Sequence, residues 1–242
     1  MKICVAQLRS IKGDVLANSE THKKFIEYAI SHMADAIFFS ELSLTGYEPG
    51  LAKNLATVQD DKLFEDFQEI SNQNNITIGL GVPIKSTSGI HISMIIFQAD
   101  NTRKVYSKQQ LHVDELPYFV GGQGQLMVTV SNKKIAPAIC YETLQDSHSE
   151  NAYKLGAEIY VASVAKSQSG IDKTMMHYSA VAKKFSIPVL MSNCVGYCDN
   201  FKSAGQSSIW TKHGVLLEQL DNNSEGLLMF DTETEEVIKL IV

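Results

Sequence analysis

Short apolar runs rich in β-branched residues alternate with amphipathic helical stretches along most of the chain. The first run, residues 2–8, predicts a strand, and the apolar stripe after it predicts a helix that starts near Asn18 or Ser19. The other expected elements are strands at 36–40, 76–84, 91–98, 103–107, 126–130, 133–139, 158–163, 188–192, 205–210, 214–220 and 226–231, and helices at 61–73, 147–155 and 172–186. This alternation predicts a layered α/β fold with one large mixed sheet or two sheets packed face to face.

The charge balance and the apolar runs exclude several classes of protein. The 242 residues include 21 Lys and Arg against 27 Asp and Glu, a net charge of −6, whereas a general nucleic-acid binder needs a basic face. No run approaches the roughly 20 apolar residues of a membrane span, so we expect no membrane partner. Four cysteines are too few for a disulfide framework, so we expect reduced thiols and a cytoplasmic location. Without linkers or repeats, residues 1–242 are expected to form a single domain.

Three residues with reactive or charged side chains each follow an expected strand. Glu41 follows Ile37-Phe38-Phe39-Ser40, Lys108 follows Val105-Tyr106-Ser107, and Cys140 follows the strand at 133–139. Because the carboxyl ends of strands line the ligand crevice of α/β sheets, these three side chains are candidates for one rim.

Together, these residue types form an acyl-transfer site that needs neither metal nor histidine. The reactive form of cysteine is the thiolate, and a nearby carboxylate can accept the thiol proton and later deliver it to a leaving amine. A lysine ammonium stabilises the oxyanion that forms on thiolate attack, and loss of one such donor costs about 3–4 kcal/mol of barrier. Each residue also has a structural explanation on its own: an inert core thiol, a solvated loop acid and a surface lysine. The residues alone leave both interpretations open.

Three sequence words around these residues resemble the catalytic blocks of the nitrilase superfamily, the carbon–nitrogen hydrolases. They are Phe39-Ser40-Glu41-Leu42-Ser43-Leu44-Thr45-Gly46-Tyr47, Tyr106-Ser107-Lys108 and Ile139-Cys140-Tyr141-Glu142. The family's flanking motifs are matched by Val5-Ala6-Gln7-Leu8, Ser192-Asn193-Cys194-Val195-Gly196, Gly205-Gln206-Ser207-Ser208-Ile209 and Gly214-Val215-Leu216. The resemblance runs in order along essentially the whole chain.

The resemblance implies a role for each matched residue. Glu41 would be the general base and acid, Lys108 would stabilise the tetrahedral intermediate, and Cys140 would be the nucleophile. The backbone N–H of Tyr141 would complete the oxyanion hole. A second glutamate that orients the site is best matched by Glu115.

Asp114 is a poorer match for that second acid, and the sequence leaves the choice open. The resemblance also implies a four-layer α-β-β-α sandwich of two mixed sheets covered by helices. Members usually associate through their helices, so we expect a homodimer or a higher homo-oligomer.

The chain departs from the family pattern at three places. Residues 142–146 lack the Arg and the Pro that often follow the cysteine, and Gln110 replaces a frequent His. An aromatic residue commonly lines the pocket where this chain has Val164-Ala165-Lys166. These departures leave the chemistry intact and the substrate open.

The expected reaction is hydrolysis of a non-peptide C–N bond through a cysteine thioester. The expected partners are water and a small linear amide or carbamoyl compound, with no cofactor. Cys194 and Cys198 lack the two further ligands that a structural zinc requires, so no metal is expected. The alternatives are an N-acyltransferase that uses the same thioester, and a catalytically degenerate binding protein of the same fold.

Overall fold

The alternating pattern forms two mixed β-sheets in the computed structural model, which describes residues 1–242. The strands are β1 Lys2–Gln7, β2 Ala36–Phe38, β3 Thr77–Ser86, β4 Gly89–Phe97, β5 Lys104–Ser107, β6 Val128–Val130, β7 Lys133–Ile139, β8 Ile159–Ser163, β9 Val189–Ser192, β10 Val195–Cys198, β11 Phe201–Ala204, β12 Ser208–Trp210, β13 Leu216–Gln219, β14 Gly226–Asp231 and β15 Val237–Ile241. The helices are α1 Val15–Ser31, α2 Ala52–Leu55, α3 Glu65–Asn74, α4 Asp146–Lys154 and α5 Gln168–Phe185, and 3₁₀ turns form at Pro49–Leu51, Lys62–Phe64 and Cys140–Leu144.

Seven strands form one sheet in the order β15-β14-β1-β2-β3-β4-β5, and six form the other in the order β13-β12-β9-β8-β7-β6. Each sheet is mixed. In the first sheet β1, β2 and β3 run parallel and the other pairs are antiparallel. In the second, β7, β8 and β9 run parallel. β10 and β11 pair only with each other, as a separate hairpin.

The alternation of side chains along β1 shows how the layers stack. Ile3 and Val5 belong to a buried cluster that includes residues of both sheets, such as Val161 of β8. Cys4, between them in sequence, belongs to a second cluster with Phe25 of α1. A third cluster packs the other face of the six-stranded sheet against α4 and α5. Successive side chains of a strand point to opposite faces, so the layers run α-β-β-α, as expected from the family resemblance.

Two hydroxyl hydrogen bonds join the sheets near the carboxyl ends of their parallel strands. Ser163, the last residue of β8, donates to the carbonyl of Phe39 just after β2. Ser192, the last residue of β9, donates to the carbonyl of Ala6 in β1 at 2.5 Å. These bonds bring the carboxyl ends of both parallel sets to one edge of the sandwich.

The expected start of the first helix at Asn18 or Ser19 is wrong. α1 begins at Val15, where the side chain of Asp14 accepts a hydrogen bond from the backbone nitrogen of Ala17 at 3.1 Å. Asn18 lies in the first turn of the helix and is buried, and its side chain bonds the preceding loop at Ile11 (2.7 Å). Asn18 therefore hydrogen-bonds the loop before the helix and does not cap the helix N-terminus.

The sequence analysis did not predict the β10–β11 hairpin or strand β15. Tyr197 of β10 is strongly exposed, and Gly196 beside it has a φ of +91° that interrupts regular alternation. β15 is an edge strand with no fully buried residue, so it lacks the apolar period by which strands are predicted. None of the helices has the length and apolarity that crossing a membrane requires.

Candidate active site

Lys108 lies at the centre of a buried cluster of charges at this edge of the sandwich. Its Nζ is 2.7 Å from Oε1 of Glu41 and 2.5 Å from Oε1 of Glu115, and all three side chains are almost completely buried. The lysine backbone is fixed as well, because its N–H donates to the carbonyl of Ile92 (2.9 Å) and its carbonyl accepts from Gly122 (2.7 Å). The ammonium therefore has one position, between two carboxylates.

Glu115, and not Asp114, is the second acid within this cluster. Oε1 of Glu115 also accepts a hydrogen bond from the hydroxyl of Tyr47 at 3.0 Å, and its Oε2 accepts from the backbone nitrogen of His112 at 2.7 Å. The side chain of Asp114 points to solvent and pairs with the His112 ring. The sequence left the two acids open, and only Glu115 contacts Lys108.

The turn that carries Glu41 packs tightly against β3. Leu42 adopts a φ of +51°, so the chain reverses directly after the glutamate. Gly81 of β3 makes this packing possible, because a Cβ there would collide with the carbonyl of Ser40 and the nitrogen of Leu42. The second carboxylate oxygen of Glu41, Oε2, is buried and has no hydrogen-bond partner within the chain. One oxygen of Glu41 is thus held by Lys108 and the other is free to accept a proton.

Cys140 comes from the other sheet, at the first position of the 3₁₀ turn that follows β7. Its φ is +49°, in the left-handed region that residues other than glycine rarely adopt. Such strain is concentrated at functional sites. The thiol is half-buried, and its Sγ lies 3.9 Å from the carbonyl oxygen of Ala165. The sharp turn presents the sulfur at the edge of the sheet, where it lines a cavity of about 510 Å³.

The electrostatics of the cluster separate the roles of the carboxylate and the thiol. Burial raises the pKa of Glu41 to about 7, although the nearby Lys108 ammonium partly opposes that rise. Burial, with the Glu41 charge, raises the pKa of Cys140 to about 12, against the lowering effects of Lys166 and Lys108. Burial by itself would lower the pKa of Lys108, but the surrounding negative charges outweigh it and raise that pKa. Near neutral pH the cluster therefore holds a protonated thiol, an ammonium and a Glu41 side chain that is close to its midpoint between carboxylic acid and carboxylate.

Tyr141 follows Cys140 in the 3₁₀ turn. Its side chain lines the cavity, with its ring centroid 5.3 Å from that of His112. The role of its backbone N–H as an oxyanion donor stays a prediction.

A family model of the carbon-nitrogen hydrolases matches residues 2–241. The chain belongs to the carbon-nitrogen hydrolase family. Two curated relatives are glutamine-dependent NAD(+) synthetases, from Thermotoga maritima (22% identical, covering 99% of this chain) and Aquifex aeolicus (24% identical, covering 94%). The chain spans only 43% and 41% of their respective lengths. Nitrilase 2 of Arabidopsis thaliana is 21% identical over 99% of this chain and 82% of its own length.

Solved structures of a nitrilase-superfamily amidase have the same fold as this carbon-nitrogen hydrolase. The NitN amidase from Nesterenkonia sp. AN1 superposes with a TM-score of 0.87 over 96% of this chain and 92% of its own, at 20% identity. A mutant of that amidase carries the acetamide moiety of fluoroacetamide covalently at its active site cysteine (TM-score 0.87, 19% identity, covering 100% and 90% of the two chains).

The sequence analysis of this carbon-nitrogen hydrolase did not predict that the side chain of Glu142 is buried and hydrogen-bonded at the candidate site. Oε1 of Glu142 accepts hydrogen bonds from the backbone nitrogen of Ile139 (2.7 Å) and the hydroxyl of Tyr106 (2.6 Å). Oε2 accepts from the backbone nitrogen of Gln109. This buried carboxylate therefore links the segment after β5 to the turn that carries Cys140 through hydrogen bonds. The one indication in the sequence was that Glu142 belongs to the motif Ile139-Cys140-Tyr141-Glu142.

Cys194 and Cys198, which are four residues apart in the sequence, do not form a metal site with further ligands. The Sγ atoms of Cys194 and Cys198 lie 3.4 Å apart, both buried, and that of Cys194 also contacts the hydroxyl of Ser203 at 3.3 Å. No group of three or more His, Cys, Asp and Glu side chains in this carbon-nitrogen hydrolase is arranged to hold a metal ion.

Proposed function

We propose that the protein hydrolyses a small linear amide through a thioester on Cys140. The observation that carries the proposal is the Lys108 ammonium, held between Glu41 and Glu115 beside a half-buried thiol that opens on a cavity. A base with a free oxygen, a fixed cation and a strained nucleophile are the groups that acyl transfer requires.

In the first half of the reaction, Glu41 accepts the thiol proton of Cys140 at its free oxygen, and the sulfur attacks the amide carbon. The Lys108 ammonium and the backbone N–H of Tyr141 stabilise the oxyanion. Protonated Glu41 then delivers its proton to the departing nitrogen, the C–N bond breaks, and ammonia leaves. The acyl group remains on sulfur as a thioester.

In the second half, water occupies the place of the departed ammonia. Glu41 accepts a proton from this water, whose oxygen attacks the thioester carbon. The C–S bond breaks, the carboxylic acid is released, and the proton held on Glu41 returns to the cysteine sulfur. A base whose pKa is raised to about 7 suits both halves, because it accepts and donates protons near neutral pH.

The relatives support an amide substrate. The neighbouring structure that carries the acetamide moiety of fluoroacetamide at its active site cysteine belongs to an amidase. The names of two relatives include dependence on glutamine, which is itself a small amide.

The test is ammonia release from a panel of two- to five-carbon amides, combined with intact mass after rapid acid quenching. We expect an acyl adduct on Cys140, and we expect Cys140→Ala to lower the rate by at least about 10³-fold. Cys4→Ala is the matched control, because Cys4 packs on the helix side of the seven-stranded sheet and is expected to leave turnover intact. Ammonia release that survives in Cys140→Ala would refute the proposal.

A further inference from the structure

Lys166 is a buried lysine with no acidic partner. It lies three residues beyond the end of β8, only 8% exposed, and its side chain lines the same cavity as Cys140. Its backbone is fixed, because its N–H donates to Oδ1 of Asn193 (3.0 Å) and its carbonyl accepts from the backbone nitrogen of Ala204 (2.8 Å). Its Nζ has no hydrogen bond and no ion pair within the chain.

The contrast with Lys108 makes this lysine unusual. Both lysines are buried beside the thiol, but Lys108 is neutralised by Glu41 and Glu115. Those two carboxylates are the only acids in contact with Lys108, and neither bonds Lys166. The Nζ of Lys166 is not one of the fully buried side-chain atoms that lack a partner, so the stem of the side chain is buried while its ammonium reaches the cavity. No acid of the chain pairs with this ammonium, so an anionic ligand in the cavity can bind it.

The start of α5 adds a second feature that favours an anion at the same place. This 18-residue helix begins at Gln168 with no side-chain cap and no acidic residue in its first turn. Ser167, Ser169 and Gly170 line the cavity beside Lys166. The positive end of the helix dipole attracts a negative group. The hydroxyls of Ser167 and Ser169 bond each other at 3.1 Å, which leaves one hydroxyl hydrogen to donate to that group.

We infer that the substrate amide carries a carboxylate, which Lys166 and the first turn of α5 bind while Cys140 attacks the amide carbon. This inference rests on the proposed function and specifies its substrate class. A single unpaired ammonium on a largely buried side chain matches a single negative charge, since the other lysine of the cavity, Lys173, is exposed.

The position of Lys166 also limits the length of the substrate. Lys166 and Cys140 line one cavity of about 510 Å³, and the carbonyl of Ala165, the residue before Lys166, lies 3.9 Å from the cysteine sulfur. A substrate that contacts both side chains must fit within this cavity. The substrate class is therefore the monoamide of a short dicarboxylic acid.

The test compares succinamate with 4-methylpentanamide, in which an uncharged isopropyl group replaces the carboxylate. The measured quantity is kcat/KM for succinamate divided by kcat/KM for 4-methylpentanamide. In Lys166→Met this ratio is expected to fall about 10- to 100-fold, as for loss of a hydrogen bond to a charged group. Lys166→Arg should restore part of it. Lys183→Met, which removes an exposed charge from the far end of α5, is the matched control and should leave the ratio unchanged.

Two results would overturn the carboxylate site. In one, Lys166→Met slows both amides equally, which would make Lys166 an activator of the thiol. In the other, the unsubstituted protein prefers the neutral amide.

Failure of the proposed function would be recognised separately, because neither amide would then release ammonia. In that case, calorimetric binding of succinamate to Cys140→Ala decides the inference. Binding that weakens at least about tenfold when Lys166→Met is added would support the site, and equal binding in the two proteins would overturn it.

Discussion

Oε2 of Glu142 lies 2.6 Å from the backbone nitrogen of Gln109, the residue that follows Lys108 in the chain. Glu142 itself is two residues beyond Cys140. One carboxylate therefore couples the position of the lysine, which extends from the seven-stranded sheet, to that of the cysteine, which extends from the six-stranded sheet. Burial raises the pKa of Glu142, while hydrogen bonds from Tyr106 and from the backbone oppose the rise.

Glu142→Gln is expected to lower activity without removing any reacting group. The amide presents an NH₂ group to one set of donors, so a buried N–H or O–H loses its acceptor. We expect kcat/KM to fall about 10- to 100-fold and the free energy of unfolding to fall by about 1–3 kcal/mol in urea titrations. Glu150→Gln, at an exposed ion pair with Lys184, is the control and should change neither quantity measurably. Unchanged turnover in Glu142→Gln would exclude the positioning role.

The reactivity of Cys140 is expected to follow the ionisation of Glu41. The carboxylate form accepts the thiol proton, and burial raises the pKa of Glu41 to about 7. The rate of Cys140 alkylation should therefore rise with pH through a midpoint near 7 and decline as Glu41 is protonated below it. Peptide mapping after brief iodoacetamide treatment gives this profile. In Glu41→Gln the midpoint should disappear, and a profile with the same midpoint near 7 in that variant would assign the titration to another group.

Gly81→Ala is expected to displace Glu41 indirectly, by shifting the turn that carries it. The added Cβ meets backbone atoms of Ser40 and Leu42, which cannot rotate away as a side chain can. We expect kcat/KM to fall at least about tenfold and stability to decrease by about 1–3 kcal/mol.

Gly50→Ala is the matched control for this change. Nothing lies within 4 Å of a Cβ at Gly50, and its φ is not positive, so activity and melting temperature should stay the same. A Gly81→Ala protein with full activity would show that the Glu41 turn can shift without consequence.

Chelators are expected to leave activity unchanged. The position between Glu41 and Glu115 that a cation would occupy holds the Lys108 ammonium, and no three metal-ligating side chains converge elsewhere. Ammonia release measured before and after dialysis against EDTA, with metal content determined in parallel, checks this. Inhibition that zinc or magnesium reverses would contradict it.

The secondary structure was predictable where one face of an element is buried and the other is not. α3, whose buried side includes Phe67, and β7 are examples, found within a few residues of their observed bounds. β15 has no buried face and could not be found this way. Periodicity also could not distinguish one sheet from two, because it records that a residue is buried but not what covers it. The two-sheet arrangement came from the family resemblance.

The candidate site was predictable only in part. The rule that strand ends line crevices brought Glu41, Lys108 and Cys140 to one rim, and the structure does bring Glu41 and Lys108 into contact there, beside the cysteine. The inward turn of Glu142 and the unpaired state of Lys166 depend on which side chains meet in space. Sequence spacing carries no information on such pairing, so these two residues required the structure.

Because the candidate site is divided between two sheets, its geometry depends on how the two layers are aligned. Glu41 and Lys108 extend from one layer and Cys140 from the other. A slip of one residue between the layers, about 3.3 Å, exceeds the tolerance of a hydrogen bond and would separate nucleophile from base. A chain with both sheets formed but misaligned would thus be inert. Only the fully assembled sandwich would place the Cys140 sulfur beside Glu41 and Lys108.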